Sequence, residues 1–207
     1  IVIPAYNEEA NIENVVRELE DKYPQFDYIV VNDGSRDRTA VICREQGFNL
    51  LDLPVNLGLA GCFQAGMKYA YYKGYEYAIQ FDGDGQHRPE FIEPMRKKME
   101  EGYEIVIGSR FVNAKKDWSM RMVGSRLIEA AIRLTTGVTV NDPTSGMRMF
   151  DREMIKEFAL NLNYGPEPDT VSYLLKQGAK IAEVPVRIAE RAGGESYLKP
   201  VVAVRYM

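Results

Sequence analysis

The chain has 207 residues, 45% of them hydrophobic and 27% charged, with a net charge of −4. That size suits one α/β domain able to bury a large core without staples, and the charge gives no overall signal for a nucleic-acid partner. No apolar run reaches the roughly 18 residues that cross a bilayer, so the chain is expected to be soluble, and two cysteines without C-x-x-C spacing leave neither a disulfide framework nor a zinc cage.

Ile1-Val2-Ile3 reads as a strand. From Asn11 the apolar residues Ile12, Val15, Val16, Leu19 and Tyr23 recur at helical spacing, and Pro24 closes the element. Tyr28-Ile29-Val30-Val31 is the second strand, a helix around Arg38 to Gln46 follows, and Asn49 to Leu53 gives a third strand. The spacing predicts a long helix over Gly58 to Lys73, stopped by Gly74, then a strand over Tyr75 to Phe81. Pro89 starts a helix with Phe91, Ile92, Met95 and Met99 on its buried face, and Glu104 to Ile107 is a buried strand. A helix carrying Leu127, Ile128, Ala131, Ile132 and Leu134 leads into the turn-rich Asn141-Asp142-Pro143-Thr144-Ser145-Gly146. A short strand and helix, a helix near Thr170 to Lys176, a strand at Ile181 to Val186 and a glycine-rich loop at Ala192-Gly193-Gly194 complete the pattern. Strands alternating with amphipathic helices predict a layered α/β domain. The sequence starts inside an expected strand and stops in an apolar-basic stretch, which reads as a piece of a longer chain.

Polar clusters share one address in this pattern. Asn7-Glu8 follows the first strand, Asn32-Asp33-Gly34-Ser35 the second, and Asp82-Gly83-Asp84 the fourth. Open α/β sheets bind ligands outside the carboxyl ends of their strands, so the three clusters predict one composite site. In Gln80-Phe81-Asp82-Gly83-Asp84-Gly85-Gln86-His87, two carboxylates and an amide alternate with glycines. Such clustered hard oxygens suit Mg²⁺ or Mn²⁺, whose open positions take the oxygens of a nucleotide diphosphate. Two plainer readings stand beside it: a surface turn, since Asp-Gly pairs form turns readily, and a calcium loop. The calcium loop requires glycine where His87 stands and a helix where a strand is expected. His87 is the sole histidine, which excludes any mechanism needing two imidazoles. No G-x-G-x-x-G follows the first strand and no P-loop is present, disfavouring a dehydrogenase or P-loop ATPase.

Ile3-Pro4-Ala5-Tyr6-Asn7-Glu8-Glu9, Val31-Asn32-Asp33-Gly34-Ser35, Asn56-Leu57-Gly58, Asp82-Gly83-Asp84-Gly85-Gln86 and Asp142-Pro143-Thr144-Ser145-Gly146-Met147-Arg148 together resemble the family 2 glycosyltransferases of GT-A fold. Within these the chain is similar to the dolichol-phosphate mannosyltransferase-like and bacterial cell-surface polysaccharide branch. The resemblance implies a mixed, mostly parallel central sheet flanked by helices, in one catalytic domain over 1–207. Its nucleotide-binding half would cover about 1–110 and its acceptor-binding half about 111–207. The implied reaction is inverting transfer of a sugar from a UDP- or GDP-sugar to a polyprenyl-phosphate or cell-surface glycan acceptor. Pro4, Tyr6, Glu8 and Asp33 match donor-contacting positions. Asp82 and Asp84 match the D-x-D motif, with Asp84 the stronger ligand for Mg²⁺ or Mn²⁺ and Gln86 a further one. Arg110 and Arg191 resemble arginines near the donor phosphates. A nucleotidyltransferase of similar sheet architecture and a non-catalytic nucleotide-sugar-binding module are the alternatives.

A hydroxyl acceptor needs a carboxylate base, for which Asp142, Glu167 and Asp169 are candidates, each equally readable as a cap or turn residue. A polyprenyl phosphate is already anionic, and Arg121, Arg126 and Arg148 would then bind its phosphate, or else be solvated surface. Lys115, Lys116 and Trp118 lie in an expected loop that reads as ordinary solvated surface or as facing a membrane, and Val201 to Val204 could lead toward a membrane helix or form a terminal helix on the domain. The expected location is the cytoplasm, at the inner face of a membrane.

Overall fold

The structure is a computed structural model describing residues 1–114, 120–161 and 164–189, with the side chains of Met120 and Arg121 excepted. In chain order the elements are β1 (Val2–Ala5), α1 (Ile12–Lys22), β2 (Ile29–Asn32), α2 (Thr39–Glu45), β3 (Leu50–Asp52), α3 (Gly58–Lys73) and β4 (Tyr77–Gln80). A 3₁₀ turn (Pro89–Phe91), α4 (Ile92–Glu100), β5 (Ile105–Ser109), α5 (Met120–Thr136), β6 (Arg148–Asp151), α6 (Arg152–Leu160), α7 (Pro168–Lys176) and β7 (Ile181–Pro185) follow.

Among the described residues the strands form one sheet in the order β3-β2-β1-β4-β6-β5-β7. β6 runs antiparallel to both of its neighbours, and the other pairings are parallel. The chain leaves β1 toward β2 and β3, then crosses back to place β4 on the other flank of β1. A strand order that reverses in this way opens a crevice at the carboxyl ends of β1 and β4.

Both faces of the sheet are covered, so the strand residues are mostly apolar and point alternately to two cores. Ile3, Val30, Val106 and Met149 pack with Ile12, Val16 and Leu19 of α1 and Met95 and Met99 of α4. Val2, Ile29, Val31, Ile105 and Ile107 face the opposite layer, with Phe63 and Met67 of α3 and Phe158 of α6. Phe63, Phe150 and Phe158 meet edge to face, with ring centroids 5.1–5.7 Å apart, the offset geometry aromatic quadrupoles favour.

The elements follow the periodicity, with differences at their ends. β1 starts and ends later than expected and continues through Ala5, since Pro4 lacks only the N–H donor and keeps an extended backbone. The helix expected from Pro89 opens as a 3₁₀ turn before α4. α5 begins at Met120, well before the apolar positions that signalled it. The glycine-rich loop at Ala192-Gly193-Gly194 and the stretch Val201 to Val204 lie outside the described residues.

Candidate active site

The β1–α1 and β2–α2 loops are stitched to one another. Asn7 N donates to Ser35 Oγ (3.0 Å), Arg36 N to Asn7 Oδ1 (2.9 Å), Glu8 N to Thr39 Oγ1 (2.9 Å) and Arg38 N to Glu9 Oε2 (2.9 Å). Asn7 takes a left-handed backbone (φ 56°), a conformation asparagine tolerates better than most residues. Pro4 is buried, and Tyr6 and Glu8 are half-buried. Glu8 Oε2 accepts from Asn11 Nδ2 at 2.8 Å.

Asp33 directly follows β2, almost wholly buried. Its Oδ1 accepts the Leu57 amide at 2.7 Å, and its carbonyl accepts Asn56 Nδ2 at 3.0 Å. Gly34 makes this closure feasible, since a Cβ there would lie 2.7 Å from Asn56 N. The motif Asn56-Leu57-Gly58 therefore holds Asp33 at the start of α3. Burial pushes the Asp33 carboxyl above the ordinary carboxylate range, opposed by the Leu57 and Gly58 amides.

Asp82 and Asp84 follow β4. Asp82 N donates to His87 Nδ1 (2.9 Å), Asp82 Oδ1 accepts from Gln80 Nε2 (3.3 Å), and Asp82 Oδ2 lies 3.6 Å from His87 Nε2. The Asp82 side chain is 37% exposed. Asp84 Oδ1 accepts the Gln86 amide at 3.0 Å. Gln86 exchanges bonds with Ala189, its carbonyl accepting Ala189 N (2.9 Å) and its Nε2 donating to Ala189 O (3.4 Å). Gly146 of the distant Asp142-Pro143-Thr144-Ser145-Gly146 turn abuts this loop: a Cβ there would meet Asp82 Oδ2 at 2.7 Å.

That turn is itself fixed from β5 and β7. Arg110 forks onto Asp142, with Nε–Oδ2 and Nη2–Oδ1 both at 2.7 Å, while its backbone N–H also reaches Oδ2 (3.0 Å). Glu183 accepts Asn141 N (2.8 Å) and Asp142 N (2.9 Å). Asp142 has no exposed surface. Both its oxygens are committed to the Arg110 guanidinium, a pair that Asp142 would have to give up to act as the base expected of it. Arg110, expected at the donor phosphates, spends its fork on Asp142.

Arg148 is 4% exposed, which excludes a solvated surface role. Its Nε donates to Ser145 O (2.8 Å) and its Nη2 to Pro143 O (2.7 Å), while Nη1 has no partner. Expected to bind the acceptor phosphate, it braces the turn from beneath through these two carbonyls. Burial lowers its pKa to about 10 against the charges of Glu167, Asp142 and Asp82, so it stays cationic near neutral pH. Glu167 caps the N-terminal end of α7 and Asp169 lies in its first turn, both exposed. Arg126 is half-buried on α5. Arg191, Lys115, Lys116 and Trp118 lie outside the described residues, as does the Arg121 side chain.

Asp33 thus follows β2 and Asp82 and Asp84 follow β4, the two strands that flank β1, while Gly146 abuts Asp82 and the buried Arg148 pairs with Gln80 of β4 from β6. Sequence reasoning missed Glu183, the clamp by His87 and the contact of Gly146. Among the described residues no group of three or more His, Cys, Asp or Glu side chains is placed to hold a metal ion. Two hard carboxylates with one part-exposed side chain fit Mg²⁺ or Mn²⁺ all the same, because these ions take one or two protein carboxylates and fill the rest with phosphate oxygens and water.

Residues 1–158 match the family model described as glycosyl transferase family 2. A UDP-N-acetylglucosamine–dolichyl-phosphate N-acetylglucosaminyltransferase of Methanococcus voltae is 31% identical, covering 90% of this chain and 84% of its own. A polyprenol monophosphomannose synthase of Mycolicibacterium smegmatis is 28% identical, covering 95% and 79%. Among solved structures, glucosyl-3-phosphoglycerate synthase from Mycobacterium tuberculosis, in complex with Mn²⁺, uridine diphosphate and glucosyl-3-phosphoglycerate, superposes with a TM-score of 0.67 at 23% identity, covering 99% of this chain and 73% of that one. The same enzyme has been solved with Mg²⁺ and uridine diphosphate, at a TM-score of 0.65, 23% identity and coverage of 93% and 71%. These likenesses establish the fold.

Proposed function

The chain belongs to glycosyl transferase family 2, and from that premise we propose that it transfers a sugar from a nucleoside diphosphate donor to a polyprenyl-phosphate acceptor. The observation that carries this reading is the position of Asp33, Asp82 and Asp84 at the tips of β2 and β4, flanking β1 where the sheet order reverses. Relatives named for dolichyl-phosphate and polyprenol acceptors support the choice of acceptor.

In this reading Asp33 and the Pro4-Tyr6-Glu8 loop bind the nucleoside, and Asp84, with Asp82 and Gln86, holds Mg²⁺ or Mn²⁺ beside the diphosphate. A divalent ion held by these residues would supply positive charge to the diphosphate leaving group. The residues of the chain do the positioning: main-chain amides hold Asp33 and Asp84, and His87 and Gly146 confine Asp82. Arg148 supplies a buried positive charge that acts on Asp82. Asp142 is sealed by Arg110, which suits an acceptor that brings its own negative oxygen and needs no proton removed. Residues 1–110 form the donor half and those beyond it the acceptor half.

A polyprenyl acceptor lies in a bilayer, and α5 offers a surface for one. Val123, Leu127 and Leu134, 36%, 68% and 87% exposed, fall on one helical stripe, with exposed Arg133 beside them. No helix among the described residues is long and apolar enough to cross a membrane. In this reading the domain works as a peripheral partner of the membrane, at its cytoplasmic face.

The test is transfer to a short-chain polyprenyl phosphate from UDP- and GDP-sugars with Mn²⁺, read as nucleotide release and as glycosylated lipid by mass spectrometry. One donor should give lipid product that EDTA abolishes. Product formed only on a glycan hydroxyl, or equal turnover in EDTA, overturns the reading.

A further inference from the structure

The contacts of His87 have a feature that the donor site does not by itself require: the ring hydrogen-bonds the main chain of Asp82 with one nitrogen and lies near the carboxylate of the same residue with the other. Nδ1 accepts the backbone N–H of Asp82 at 2.9 Å. An acceptor Nδ1 carries no proton, so the ring's hydrogen is on Nε2, 3.6 Å from Oδ2 of the same aspartate. The ring is 7% exposed and packs edge-on against Phe81, 5.5 Å between centroids. On the other side, Gly146 leaves just enough room: a Cβ there would approach Asp82 Oδ2 to 2.7 Å and His87 Cε1 to 3.3 Å.

Resting on the donor site described above, we propose that His87 is a positioning residue for donor binding, acting through Asp82. Its buried ring holds the main chain of Asp82 with one nitrogen and turns the positive edge of the other toward the carboxylate, so that Asp82 faces the diphosphate in one orientation. The ring itself is too enclosed to meet the donor. Packing alone would be satisfied by any flat apolar ring, whereas positioning requires the nitrogens. Outer partners that orient ligating side chains commonly govern about 10–100-fold in affinity.

The experiment measures the dissociation constants of UDP and GDP with Mn²⁺ by titration calorimetry, alongside thermal unfolding and, for the donor that turns over, kcat and KM. His87→Phe preserves the ring and removes both nitrogens. It should weaken nucleotide binding about tenfold or more and raise donor KM in step, with kcat changed by less than about threefold. His87→Asn places a carbonyl where Nδ1 accepts the Asp82 amide and should recover most of the affinity. His87→Gln can offer a donor near Nε2 but not that acceptor, and should bind about tenfold more weakly than His87→Asn. This pair carries the test where the phenylalanine variant fails to fold. Unaltered affinity in His87→Phe, or equal affinity in the Asn and Gln variants, overturns the proposal alone. Absence of Mn²⁺-dependent nucleotide binding by the parent chain overturns it together with the donor site.

Discussion

Two groups of acids crown the same sheet and are held in opposite ways. At the tips of β2 and β4, main-chain amides hold two of the carboxylates, Leu57 N on Asp33 and Gln86 N on Asp84, while His87 accepts the backbone N–H of Asp82. At the β5–β7 end, the Arg110 guanidinium forks onto Asp142, and the segment that carries Asp142 is gripped by Glu183 through the Asn141 and Asp142 amides. An amide donor orients a carboxylate without cancelling its charge, whereas a forked guanidinium cancels it and takes both oxygens. The availability of an aspartate is therefore decided by what holds it, not by the motif in which it occurs.

The largest effect separating the two groups is expected at Asp84. Asp84→Asn preserves size and an acceptor oxygen for the Gln86 amide while removing the charge, and transfer should fall by about 10²–10³-fold with little change in melting temperature. A variant retaining turnover and dependence on Mn²⁺ would remove Asp84 from the ion site.

Asp142→Asn should show the converse pattern. It leaves the Arg110 guanidinium facing an uncharged amide inside the turn, and breaking such a pair destabilises by about 3 kcal/mol, near the low end because the Arg110 side chain is 20% exposed. Denaturant unfolding would read that loss, while kcat per folded molecule should stay near the parent value. Loss of turnover in a fully folded variant would instead return Asp142 to the chemistry. Glu183→Gln, which retains an acceptor for one of the two amides, should destabilise less, by about 1 kcal/mol.

Gly146 joins the two groups, and Gly146→Ala tests whether they act as one site. The added methyl cannot remain 2.7 Å from Asp82 Oδ2, so the carboxylate or the turn must shift. Donor KM should rise by about tenfold, at a stability cost below that of Asp142→Asn. Unchanged KM would show that the turn and the Asp82 loop adjust independently.

The same contrast separates what is legible in the amino-acid sequence from what is not. Strands and helices through β5 follow apolar periodicity, and the strand-tip placement of Asp33, Asp82 and Asp84 follows from that alternation, because short-range patterns fix both. The antiparallel insertion of β6 between β4 and β5 leaves no local trace, and it is this insertion that brings Gly146 to Asp82 and Arg148 beneath it. Glu183 is an ordinary strand glutamate until β7 lies beside β5, 41 residues along the chain from the amide it grips. Arg148 resembles a phosphate ligand because an arginine after a turn is usually exposed; its burial depends on strand pairing that spacing does not encode.

The smallest expected effect concerns Asp33 and reverses the usual sign. Burial raises its folded-state pKa, so the folded chain binds that proton more tightly than the unfolded chain does. The resulting stability is fully present below the ordinary carboxylate range, about pH 4, and is lost as pH rises through the raised folded value. Asp33→Asn removes the ionisation and keeps an oxygen for the Leu57 amide. Its melting temperature should therefore exceed the parent's by about 2–4 °C at neutral pH, with the gap closing in acid, while nucleotide binding weakens. A gap that stays constant from neutral pH into acid would show that Asp33 contributes no such linkage. A carboxylate kept ionised against burial at a sheet tip costs the fold stability, and the nucleoside it would bind is the compensation the site points to.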